Sequence, residues 1–188
     1  MPRHKAYNKE EVLEKAMQVF WDHGYEATSV RLLEKEMGIN QFSIYAAFDN
    51  KKKLFIESLK KYREYVINNR YHPLLKENAT LADLKQFFHQ ISRGQTKRGC
   101  LVVNTTGEIG DKDPEIAEEL KNYYQFIKNM TMQVLRNAVE AGEISEKADL
   151  EKYSNYLLGV MQGLSVSEKS LTEEQMQDII HMTFLTIQ

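Results

Sequence analysis

One cysteine in 188 residues, Cys100, excludes an internal disulfide framework and suits a reducing compartment such as the cytoplasm. The five histidines are scattered, so no metal-ligand spacing forms and neither metal nor cofactor is expected. No apolar run approaches the roughly 20 residues that a membrane span requires. The N-terminal MPRHKAYNKEE has no apolar signal region, so neither a membrane partner nor export is expected. A GxSxG elbow, a phosphate loop and a nucleophile with an evident base partner are all missing, which argues against an enzyme. Strand signals are almost absent too. What remains is an ordinary soluble composition, 42% hydrophobic and 28% charged. The length suits one sizeable core, or a small module joined to a larger one. The net charge of −2 is unevenly divided, with 12 Lys/Arg against 10 Asp/Glu in residues 1–65 and 13 against 17 in the remainder. That balance speaks against a protein that coats nucleic acid indiscriminately, yet a few positioned cations are enough for phosphate contacts.

Apolar residues recur at helical spacing along almost the whole chain. Asn8 with Glu11 makes a capping-box-like start before Val12, Leu13, Ala16, Met17, Val19 and Phe20, and Gly24 ends that run. Thr28 or Ser29 caps a second helix with Val30, Leu33 and Met37 inward and Gly38 at its end. Asn40 caps a third, very short helix, and Phe48-Asp49-Asn50 interrupts before a long fourth one from about Lys51 to Asn68. Past His72-Pro73, Thr80 and Asp83 open a helix through Phe87, Phe88 and Ile91. The segment RGQTKRG (93–99) reads as a polar loop, and a helix is expected from Cys100 or Leu101 to Ile109. Asp113, with Pro114 at the first helical position, starts a helix that keeps its spacing from Ile116 to Ala138 and closes at Gly142. Two more helices, about 149–166 and 173–187, complete an all-α chain of eight or nine helices.

Residues 24–55, GYEATSVRLLEKEMGINQFSIYAAFDNKKKLF, point to a function. They read as helix, glycine turn, very short helix, then a helix opening with three lysines. In a helix-turn-helix the second helix offers its N-terminal side chains to base edges, and the turn needs a residue tolerant of positive φ. Gly38 fits the turn. Ile39, Ile44 and Phe48 are placed to anchor the short helix against Val30, Leu33 and Phe20, which leaves Asn40, Gln41, Phe42, Ser43 and Tyr45 for DNA. The amides of Asn40 and Gln41 suit adenine edges, and Ser43 suits a base or a phosphate. Tyr45 can lay its ring on a sugar and its hydroxyl on a phosphate oxygen. Lys51, Lys52 and Lys53 oppose the dipole at a helix N-terminus, an arrangement that a bound phosphate turns favourable.

This stretch, roughly residues 8–56, resembles the TetR family of transcriptional regulators. The family pattern is a helix ending in G-[YF]-x-x-[TS]-[ST]-[VI], a G-[VI]-[SN] turn, then Y-x-x-F and a lysine three residues on. The chain supplies Gly24-Tyr25, Thr28-Ser29-Val30, Gly38-Ile39-Asn40, Tyr45 with Phe48, and Lys51. The resemblance implies base and phosphate contacts at Thr28, Arg31, Gln41, Phe42, Ser43, Tyr45 and Lys51. Phe42 departs from the pattern, since the family often has glycine there. The implied architecture is an N-terminal three-helix helix-turn-helix DNA-binding domain (1–52) and a C-terminal helical effector-binding and dimerisation domain (53–188). The implied function is a cytoplasmic homodimeric repressor, released from a palindromic double-stranded operator by a small-molecule effector.

In the second half, Arg98-Gly99-Cys100-Leu101 with Asn104 is similar to an R-G-C-[LF]-x-x-N motif of one branch of that family. A two-fold dimer lets two reading helices reach successive major grooves. The stripes expected to build its interface are Leu150, Tyr153, Leu157, Met161 and Leu164 on one helix and Met176, Ile180 and Phe184 on the next. Gly159 and Gly163 would allow close approach. Tyr62, Tyr65, Phe88, Cys100, Tyr123, Phe126 and Met130, with Phe87 and Tyr124 beside them, are the residues expected around an effector pocket. Cys100 follows Lys97 and Arg98 where a helix begins, and both features favour a thiolate, so a thiol sensor of electrophiles or oxidants is an alternative. A further alternative is a helical interaction module that does not bind DNA. Salt-dependent, sequence-selective duplex binding separates the regulator from that module and from an enzyme.

Overall fold

A computed structural model of the protein describes residues 7–93 and 97–187, so part of the 93–99 loop lies outside the described residues. Nine α-helices make up the described chain, and no strand occurs among those residues. They are α1 (Lys9–His23), α2 (Val30–Met37), α3 (Gln41–Phe48), α4 (Lys51–Val66), α5 (Leu81–Ser92), α6 (Leu101–Ile109), α7 (Pro114–Glu140), α8 (Leu150–Ser167) and α9 (Glu173–Thr186). None of these helices is long and apolar enough to cross a membrane.

The caps expected at Asn8, Ser29, Asn40, Thr80 and Asp113 delimit their helices, and Asn50 and Thr172 add two more. Asn8, Ser29, Asn40 and Asn50 each accept a backbone N–H of the first turn of α1 to α4. Thr80 with Asp83, and Thr172 with Gln175, form reciprocal capping boxes at α5 and α9. Asp113 caps α7 ahead of Pro114. The fourth helix departs from its expected end at Asn68: beyond Val66 the chain widens into a π-helical turn (Ile67–Tyr71) and tightens into a 3-10 turn (His72–Leu75) carrying Pro73. Proline lacks an N–H, so the α-helical ladder cannot run through it.

Helices α1, α2, α3 and the start of α4 pack around Phe20, Leu33, Met37, Ile44, Phe48 and Phe55. Phe20 meets Phe55 edge-on at 4.8 Å. Helix α4 leaves this end and packs on α7, which in turn packs on α8, while α9 covers α5 and α8. The apolar stripes of α8 and α9 point into this second core: Leu157, Met161, Leu164, Met176, Ile180 and Phe184 are buried within the protomer. The expected dimer stripe is therefore mostly intramolecular core, with only Leu150 and Tyr153 half-exposed. A regular apolar stripe marks the side of a helix with the most contacts, and here that side faces the chain's own helices.

Candidate nucleic-acid interface

Helices α2 and α3 are too short to persist alone and are held by what they bury. Gly38 joins them in a left-handed conformation, φ 74° and ψ 21°, which L side chains rarely adopt. Glu34 reaches across the turn to accept the Gln41 N–H at 2.6 Å, and the Tyr7 hydroxyl donates to the Ser43 carbonyl. Once Ile44 and Phe48 are buried, the first turn of α3 is turned outward.

Gln41, Phe42 and Asn40 are exposed, as is Arg31 on α2; Ser43 and Tyr45 are half-buried. The Asn40 side-chain oxygen Oδ1 is taken by its capping bond to the Ser43 N–H at 2.9 Å, so only the N–H groups of that amide are left for other partners. Thr28 departs from expectation. It is fully buried, and its hydroxyl donates to the Gly24 carbonyl at 2.6 Å, so its side chain braces the α1–α2 turn and offers nothing to DNA.

The three lysines of α4 have different surroundings. The Lys51 ammonium lies over the Tyr25 ring at 4.4 Å and makes no ion pair among the described residues. Burial lowers its pKa, against the pull of the Glu26 and Glu108 carboxylates. Lys52 bonds Glu115 at 2.5 Å and Asp113 at 3.2 Å, and Lys53 bonds Glu115 as well, so the start of α4 is tied to the start of α7. Those bonds hold the Glu115 carboxyl at about 2 and raise Lys52.

Glu108, near the end of α6, went unnoticed in the sequence. Its carboxylate accepts the backbone N–H groups of Tyr25 at 3.0 Å and Glu26 at 2.7 Å, clamping the α1–α2 turn to the C-terminal helices. No local pattern announces a contact between residues so far apart in the chain.

The R-G-C-L-x-x-N segment docks on α1. Arg98 stacks over Trp21 at 4.1 Å, bonds both the side chain and the carbonyl of Gln18, and pairs with Asp22 at 2.7 Å. The Trp21 indole donates to the Gly99 carbonyl at 3.0 Å, and the Asn104 amide pins the Arg98 carbonyl. Gly99 has φ +68°, and an added Cβ would lie 2.8 Å from the Ser165 carbonyl oxygen, so only glycine fits. The Arg98 guanidinium, expected to favour a thiolate at Cys100, is thus engaged on α1.

Cys100 itself is buried, its sulfur 3.7 Å from the Tyr123 hydroxyl, which meets the Tyr71 hydroxyl at 2.8 Å. Burial, then the neighbouring thiol, pushes Tyr123 well above the ordinary phenol range. A cavity of about 30 Å³ opens here between Cys100, Tyr123, Tyr71, Tyr124 and Met161. Of the residues expected around an effector, Cys100, Tyr123 and Tyr124 line it. Tyr62 and Tyr65 pack on Trp21, Phe88 on Phe184, Phe126 on Tyr71, and Met130 is core. Tyr71 was missed, because aromatic spacing does not separate a core ring from a lining one. An open cleft of about 660 Å³ shares Tyr124 and Leu158 with this cavity.

Comparison with known proteins agrees with this geometry. Residues 12–57 match the family model of bacterial regulatory proteins, tetR family, and residues 80–182 match the tetracyclin repressor-like C-terminal domain. The chain is 29% identical over 172 residues to the HTH-type transcriptional repressor ComR of Escherichia coli (strain K12), which covers 89% of this chain and 82% of that protein. It is 24% identical over 144 residues to the biofilm operon icaADBC negative transcriptional regulator IcaR of Staphylococcus aureus (strain Newman), covering 70% of this chain and 77% of that one. A cysteine-substituted form of the TetR family regulator CifR, complexed with 26-bp double-strand operator DNA, superposes with a TM-score of 0.83 at 24% identity, over 99% of this chain and 100% of that one. With the C-terminal model covering more than half of the chain and the N-terminal model covering its reader, the chain belongs to the TetR family of bacterial regulatory proteins.

Proposed function

We infer that the protein is a homodimeric DNA-binding transcriptional repressor of the cytoplasm. Residues 1–52 read a palindromic operator, and residues 53–188 dimerise and take a small-molecule effector that releases the DNA. The observation that carries this reading is the outward first turn of α3, where Gln41 and Phe42 stand exposed on a helix fixed from behind by buried Ile44 and Phe48. Lys51 supplies the phosphate contact at the start of α4. Its half-buried ammonium makes no described ion pair, and a phosphate oxygen there would meet free N–H groups of the first turn as well.

The dimer face is the outer side of α8 and α9. Tyr156, Gly159, Gly163 and Val166 line up on α8, and Met182 and Leu185 on α9, all exposed in the protomer. An apolar strip with glycines for close helix approach is what a two-fold helix pair requires. The effector site is the Tyr71–Tyr123–Cys100 cavity, with the cleft beside Tyr124 as its entrance. Filling so small a cavity must displace α7 or α6, and Glu108 and Glu115 carry any such movement to the reader. A coupling of about 1–3 kcal/mol between the sites would change DNA affinity about 5–150-fold.

The test is selection of bound duplexes from a random library, followed by titration of the selected duplex with wild type, Gln41→Ala and Tyr45→Ala. The expected result is a palindrome bound by a dimer, weakened about tenfold or more by either substitution. Absence of any enriched duplex overturns the reading.

A further inference from the structure

Helix α3 carries no arginine or lysine, so it lacks the side chains that read guanine through two hydrogen bonds. Its outward residues are of two kinds. Gln41 is an amide suited to adenine. Phe42 and Ala46, one turn apart on the exposed face, are apolar. Phe42 is 82% exposed, the most exposed large apolar side chain among the described residues. It packs no core, and it lies in the first turn of the helix that a helix-turn-helix presents to base edges. The only apolar group on those edges in the major groove is the 5-methyl of thymine.

We propose that Phe42 is a specificity-determining residue whose ring seats on the 5-methyl group of a thymine in each operator half-site. The inference rests on the DNA-binding reading above and adds what that reading leaves open, the base selected. With Gln41 beside it, α3 reads A·T pairs: the amide takes the adenine edge and the ring takes the methyl. On a G·C pair the ring loses the methyl, which cytosine lacks, and the amide loses its two-bond match, because guanine offers only acceptors at N7 and O6.

The experiment uses the full-length protein and the duplex it selects. Each thymine is replaced in turn, symmetrically in both half-sites, by deoxyuridine, which removes the methyl and leaves the hydrogen-bonding edge unchanged. Affinity is measured at one fixed salt concentration for wild type and Phe42→Ala, whose thermal midpoint is compared with wild type to establish folding. At one symmetric position wild type is expected to lose about fourfold per half-site, the value of one buried methyl. Phe42→Ala is expected to bind the thymine and deoxyuridine duplexes equally. Tight wild-type binding that no deoxyuridine weakens overturns the inference while leaving the DNA-binding reading intact. So does a loss that persists in Phe42→Ala, or a selected duplex with no thymine common to its half-sites. No selected duplex at all overturns both.

Discussion

The reader at α1–α3 and the helices α8 and α9 expose their proposed contact residues in opposite ways. In the reader, α2 and α3 are so short that filling one small core uses a whole face of each, and what is left outside is the proposed DNA surface. Ile44 and Phe48 go in, so Gln41 and Phe42 stay out. Helices α8 and α9 are longer and apolar on two faces. Leu157, Met161 and Leu164 face the protomer, while Tyr156, Gly163 and Val166 face away. The strongest periodic stripe there belongs to the core, and the proposed interface is the weaker stripe beside it. Hydrophobic periodicity finds burial, but does not say whose atoms do the burying.

The sharpest way to break this contrast is to charge the weaker stripe. Val166→Glu with Met182→Glu should leave each protomer folded but monomeric by light scattering. Because linking two reading heads raises affinity by about 10²–10⁴, operator binding should fall by that order. Leu164→Ala, two residues from Val166 but buried, should instead leave the dimer while lowering unfolding free energy by about 2–5 kcal/mol. If Leu164→Ala dissociates the dimer and the double glutamate variant does not, the faces are the reverse of those proposed.

Element boundaries were legible almost throughout, because caps are local: Asn8, Asn40, Thr80 and Asp113 act within four residues of themselves. The fold class and the exposed residues of α3 followed from the same local chemistry. Thr28 was misjudged because a threonine before a helix serves equally as an external contact or an internal brace, and only packing decides. Glu108 was invisible, since it acts on backbone N–H groups more than eighty residues away. The fourth helix, expected from Lys51 to about Asn68, ends close to that point at Val66, where a π-helical turn takes over ahead of Pro73.

Two glycines sharpen the comparison within the reader itself. Gly24 has φ 77° and ψ 178°, a region essentially reserved for glycine, and an added Cβ would lie 2.8 Å from a Glu108 oxygen. Gly38 has φ 74° in the left-handed region with nothing within 4 Å of its added Cβ. Gly24→Ala should cost about 1–3 kcal/mol in strain, and should also displace Glu108 from the Tyr25 and Glu26 N–H groups. Gly38→Ala should cost about 1–2 kcal/mol and leave that clamp in place. Thermal melts measure both losses. Amide exchange at Tyr25 and Glu26 separates them, since it should rise in the first variant only.

The smallest expected effect concerns the tie between the two regions. Glu115 is held at about 2 by hydrogen bonds from Lys52 and Lys53, below its ordinary 4.5. A carboxyl depressed in this way stabilises the fold above about pH 4.5, and that contribution disappears as pH falls toward 2. Glu115→Gln should therefore lower the thermal midpoint by a constant small amount from pH 8 to pH 5, and the gap from wild type should close between pH 4.5 and 2. The pair is solvent-exposed, so salt should shrink the same gap at neutral pH. The substitution also frees Lys53, and leaves Lys52 with Asp113 alone, beside the proposed phosphate site. If either reaches DNA, the slope of log affinity against log salt should steepen by about 0.9 for each phosphate newly engaged. An unchanged slope would mean that Lys52 and Lys53 serve the body of the protein alone, leaving Lys51 as the α4 lysine that serves the reader.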